Sequence, residues 1–117
     1  MKLKILTIIS SITFLSSCAN MPTASSQIAG SYTSGIQYEN FDLERLQVEF
    51  DSLSRRESQL VIAQEQRVKS SQTQAFWLGY GQGDGIEAAE LAQVRGEKAA
   101  VQKAIAIKKQ ERSKKEK

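Results

Sequence analysis

From Asn40 onward the apolar residues recur with the period of a helix. Leu43, Leu46, Phe50, Leu53 and Leu60 follow one another at steps of 3, 4, 3 and 7. Those steps fit the a and d positions of a heptad, with Glu57 in one seam position and Gln64 in the next. The segment from Phe41 to Ser71 contains neither Gly nor Pro, which predicts a helix of about 30 residues and roughly 45 Å. Asn40 is placed to cap its N-terminus, and Asp42 and Glu44 put negative charge where the helix dipole favours it. Asp51 with Arg55 and Glu65 with Lys69 stand at the i,i+4 spacing of supporting ion pairs.

A second helix is predicted from Asp84-Gly85-Ile86-Glu87, which has the spacing of a capping box. Seven alanines between positions 88 and 106 make the segment intrinsically helical. Leu91, Val94, Val101 and Ile105 form its apolar stripe, with Lys98 interrupting it. Glu87 and Glu90 near the start and Lys103, Lys108 and Lys109 towards the end complement the dipole. Between the helices, glycines at 79, 81, 83 and 85 permit a reversal. The expected fold is therefore all-α: an antiparallel, coiled-coil-like two-helix hairpin over 41–107 with a Gly-rich turn at 79–85.

The turn invites two chemical readings that fail. A phosphate loop needs a preceding strand and a Gly-Lys-Ser/Thr, and a dinucleotide fingerprint needs a different glycine spacing. A calcium loop needs several carboxylates, and Asp84 is the only one among the possible ligands. Phe76, Trp77, Leu78 and Tyr80 cluster beside the glycines. Two roles are open to them: plugging the end of the hairpin core, or forming a contact patch for a membrane or a partner.

The N-terminus follows a different pattern. Lys2 and Lys4 precede an eleven-residue, mostly apolar run from Ile5 to Leu15. Spanning a bilayer takes roughly 20 apolar residues, so the run reads as the core of a signal peptide. It ends in Leu15-Ser16-Ser17-Cys18, which resembles a bacterial lipobox. The resemblance implies cleavage between Ser17 and Cys18, a diacylglyceryl group on the Cys18 thiol and an acyl chain of palmitate type on the new amine. One chain anchors marginally and two or more anchor stably. Ala19, where lipoproteins of enteric type retained at the inner membrane carry Asp, implies export to the outer membrane; of its two faces the periplasmic one is expected over the cell surface.

Composition and charge refine this organisation. The chain has one Cys and no His, which excludes an internal disulfide and removes the commonest general base and metal ligand. No catalytic residues, metal ligands or cofactor are predicted, and the expected role is not enzymatic. Without residues 1–17 the formal charge falls to +1, and Lys108–Lys117 alone carries six basic and two acidic residues. The basic balance thus belongs to a tail at 108–117, expected to be a solvated helix end or an attraction for anionic lipid or an acidic partner. No aromatic residues interleave with these lysines, so nucleic acid is not an expected partner. Residues 18–40, rich in Ser, Thr and Gly, read as a lipidated Cys followed by a flexible tether reaching roughly 25 Å. Tyr32, Ile36 and Tyr38 are its bulky members.

The pattern Tyr38-x-x-Phe-Asp-Leu-Glu-Arg-Leu, the long polar helix, Phe76-Trp77 with its Gly-rich turn, and Leu91-Ala-x-Val-x-Gly-Glu97 resemble a group of small, functionally uncharacterised bacterial lipoproteins. The likeness covers roughly residues 35–107. Members of that group often carry a Cys at the start of the first helix and another near the C-terminus. Neither the position of Asp42 nor the region of Lys108 has one here. The resemblance implies architecture and localisation: a helical hairpin in the cell envelope, anchored to the outer membrane by N-terminal acyl chains. Two helices make a thin core, so self-association or an envelope protein partner is expected. The alternative is a membrane-active or lysis-type lipoprotein acting through the aromatic tip or the basic tail.

Overall fold

A computed structural model describes residues 20–117. Two long helices, α1 (Leu43–Leu78) and α2 (Ile86–Lys115), pack side by side, and no strand occurs among the described residues. The antiparallel hairpin expected from the heptad spacing is the fold. Leu46, Leu53, Leu91, Val94 and Val101 are buried along the seam, with Phe50, Leu60 and Ile105 partly covered beside them. These are a/d residues read from the sequence of α1 and the apolar stripe read from that of α2.

The polar seam positions are filled by pairing. Glu57 accepts from Arg95 Nε and from Lys98 Nζ, each at 2.8 Å. The lysine that interrupts the stripe of α2 thus meets the carboxylate that interrupts the stripe of α1. Those two hydrogen bonds, from Lys98 first and then Arg95, hold the Glu57 carboxyl below its usual range. Gln64 is fully buried, and its Nε2 donates to the Thr23 carbonyl at 2.7 Å and to Asp84 Oδ1 at 3.2 Å. Its Oε1 finds no donor among the described residues.

The helix ends differ from the expected ones for local reasons. Asp42, not Asn40, caps α1, accepting from the Arg45 N–H at 2.8 Å. Asn40 lies in the turn closed by the Phe41 N–H on the Tyr38 carbonyl, so the helix cannot begin until two residues later. At its other end α1 runs seven residues past Ser71, since no breaker intervenes before Gly79. That glycine takes the left-handed conformation, with φ of 80°, and donates its N–H to the Ala75 carbonyl. Asp84 does not cap α2; Gly85 holds the cap position without a side-chain bond, and the Asp84 carboxylate is turned towards Thr23. The basic segment is helical as far as Lys115, with Arg112 paired to Glu116.

The largest difference lies before α1. Residues 20–40, expected as a flexible tether, form a strap laid along the hairpin from the turn to the start of α1. Thr23 donates its N–H and its Oγ1 to Asp84, each at 2.6 Å, and Ser25 donates to Glu65. Arg95 Nη1 donates to the carbonyls of Ser25 and Ile28, and the Ser31 N–H to the Ala92 carbonyl at 2.8 Å. Tyr38 enters the core at 4% exposure and packs edge-on against Phe41. Close passage is possible because the helix offers Gly96 where the strap crosses: a Cβ there would collide with the Ser31 carbonyl. The small polar residues that suggest solvated coil are here the donors that tie the strap down.

Candidate contact site at the hairpin tip

The end of the hairpin is built by unequal helix lengths. The Gln82 N–H donates to Ser71 Oγ at 3.1 Å, so the chain returns beside Ser71 while α1 continues to Leu78. Seven further residues carry its last turns about 10 Å past that level. No part of α2 flanks this projection, since α2 begins only at Ile86. Phe76 and Trp77 are therefore 81% and 76% exposed, and Leu78 and Tyr80 are more than half exposed. Phe76 and Trp77 touch each other edge to face, with ring centroids 5.2 Å apart. Of the two roles open to these four residues, plugging the core is excluded. The structure brings them together at one exposed end.

The strap begins at the same end. The Gly83 N–H donates to the Asn20 carbonyl at 2.7 Å, and Gly81 lies against Asn20 and Met21. Ser17 and Cys18, the expected cleavage and lipidation positions, lie outside the described residues.

The tip has a second property that its aromatic residues conceal. From Ser70 to Gly83 there is no Asp, Glu, Lys or Arg, and the strap has none between Asn20 and Tyr38. In a chain with 25% charged residues, the two uncharged segments meet at one end of the molecule. Lys69, next to Ser70, is exposed, while Asp84 and Arg67 are already committed. Asp84 is held below its usual range by the Thr23 hydroxyl and N–H. Arg67 pairs with Glu87 at 3.0 Å. Charge distribution along 70–83 was the readable signal for this site.

A different surface occupies the far half of the rod. Strap residues 31–39 and α2 residues 96–111 enclose an open groove of about 790 Å³. Tyr32, Ile36 and Ile107 line it while remaining largely exposed, and its charged lining is mixed, Lys103 and Lys108 with Glu39 and Glu111. Tyr38 closes its floor, with its hydroxyl pushed above the usual phenol range by burial and by Glu97. Among the described residues no helix is long and apolar enough to cross a membrane. No three or more of their Cys, Asp or Glu side chains gather as metal ligands.

No family model matches this chain, and neither the curated proteins nor the solved structures show a significant likeness to it.

Proposed function

We propose that the protein is a lipid-anchored, non-catalytic component of the bacterial cell envelope. Acyl chains on Cys18 hold it in the outer membrane, facing the periplasm, and its hairpin binds an envelope protein or a second copy of itself. One observation carries the anchor: the chain's only thiol directly follows the apolar run, in Leu15-Ser16-Ser17-Cys18. The groove between strap and α2 supports the binding half of the reading. Exposed Tyr32, Ile36 and Ile107 form an apolar surface bordered by both lysines and glutamates, suited to an apolar partner segment.

The test has two parts. The mature protein from native membranes should be heavier than the chain from Cys18 by a diacylglyceryl group and an acyl chain, and Cys18→Ser should leave the membrane fraction. Cross-linking in intact cells should then capture a dimer or a discrete envelope complex. An unmodified mass removes the anchor, and recovery of the lone monomer alone removes the binding role.

The exposed tip favours a second reading, a membrane-active lipoprotein. Overexpression distinguishes it: leakage of periplasmic contents that disappears when Phe76 and Trp77 are both replaced by Ser supports that reading over the first.

A further inference from the structure

The strap changes what a lipid anchor at Cys18 means. A free tether of 22 residues holds a domain roughly 25 Å from the headgroups. Here the chain is fixed to the hairpin from Asn20 onward, through the bond from Gly83 and the Thr23–Asp84 pair. Only two residue steps separate Asn20 from Cys18, a reach of at most about 7 Å. The aromatic tip projects about 10 Å past the level of Ser71 at this same end. From Asn20, acyl chains on Cys18 are thus within reach of the lipid surface that the rings of Phe76, Trp77 and Tyr80 would meet.

The chemistry of this end suits that surface. Charged groups resist removal from water, and 70–83 together with the start of the strap at 20–23 contains none. Trp and Tyr favour the headgroup level, where the ring is covered and the N–H or O–H stays wet. Apolar side chains of interfacial segments enter by about 5–10 Å, which matches the height of the projection. The opposite end is the basic one. Lys108 lies 22 residues along α2 from Ile86, about 33 Å away. That is several times the Debye length of about 8 Å at physiological ionic strength, so the lysine-rich end is not attracted to the anchoring leaflet.

Resting on the lipid-anchored reading, we propose that the Phe76–Tyr80 tip is a second membrane contact, seated in the headgroup region of the leaflet that holds the Cys18 acyl chains. The rod stands on this end, with the groove and the basic end of α2 held away from the bilayer.

Trp77 is the only tryptophan in the chain and reports on the tip directly. The mature, full-length protein is purified in detergent, weighed, and reconstituted into vesicles of phosphatidylethanolamine and phosphatidylglycerol. In one set the lipids are brominated at a shallow acyl position. The expected result is a lipidated mass, flotation with the vesicles and strong quenching of Trp77 by the brominated lipid. Iodide quenching should be several-fold weaker than for N-acetyltryptophanamide in the same suspension. A lipidated, floating protein whose Trp77 stays open to iodide overturns the tip contact and leaves the anchor standing. Trp77 shielded from iodide but unquenched by brominated lipid also overturns it, since the tip is then covered by protein. A mass equal to the unmodified chain overturns both readings.

Discussion

Replacing Gly96 by Ala tests the strap by the sign of its effect. In the interior of a free helix, Gly to Ala is stabilising by about 1 kcal/mol, through backbone entropy alone. Gly96 sits ten residues inside α2, so that gain applies in full. Against it stands the collision of the new Cβ with the Ser31 carbonyl and with Thr33 Oγ1. The first of these is backbone and cannot turn aside, because the Ser31 N–H is bonded to the Ala92 carbonyl at 2.8 Å. Overpacking of this kind costs about 1–3 kcal/mol. Lifting the strap instead forfeits that bond and strains the two from Arg95 to Ser25 and Ile28, at about 1 kcal/mol for each bond lost. The net expectation is a loss of about 1–2 kcal/mol. In urea, at about 1 kcal/mol per molar for a small protein, the midpoint falls by roughly 1–2 M. Circular dichroism at the helix minimum follows the transition, and amide exchange at Ser31 should accelerate in the variant. A rise in stability of the size seen in an unobstructed helix, with exchange at Ser31 unchanged, would refute the close passage of strap over α2.

Two other substitutions probe the seam. Glu57→Gln should cost about 1–3 kcal/mol at neutral pH, the scale of hydrogen bonds to charged groups less some solvent screening. The Glu57 carboxyl is depressed in the fold, so its contribution is complete above the unfolded carboxylate value of about 4.3. It fades as pH falls through the lower folded value, and the acid limb of stability should be flatter in the Gln variant than in the parent. Leu46→Ala, at a fully buried position, should lose about 2–4 kcal/mol, while Val48→Ala two residues away, mostly exposed, should stay within about 0.5 kcal/mol. Equal effects at the two sites would contradict the seam assignment.

The hairpin was legible because its determinants are local. Leu46 and Leu53 on one helix, and Leu91, Val94 and Val101 on the other, announce a seam by spacing alone, and Gly79 announces the stop. The cap moved from Asn40 to Asp42 because a turn closed by Tyr38 and Phe41 competes for the preceding residues, which spacing does not reveal. The strap was illegible for a deeper reason. Thr23, Ser25 and Ser31 bond partners 40 to 70 positions away, as in Thr23 to Asp84 and Arg95 to Ser25. A polar side chain bonded across the fold has the same one-letter code as one bonded to water. Gly96 was the available clue, being a glycine in an alanine-rich helix, where it costs stability unless something needs the space. At the tip, the clustered rings were readable and their exposure was not. Exposure follows from α1 outrunning the start of α2, a difference in length fixed by where each helix is capped.

The polar pairs in the seam also act as a vernier for the two helices. Leucines alone would allow α1 to slide by a heptad against α2 with little change in apolar cover. Such a shift would carry Glu57 away from Arg95 and Lys98, and Gln64 away from Asp84 and Thr23, leaving covered polar atoms with nothing to bind. One alignment is thereby selected from several of similar greasiness. Together with the positions of the helix ends, that alignment sets the length by which α1 overshoots its neighbour, so residues in the middle of the rod help to dictate how far its end protrudes.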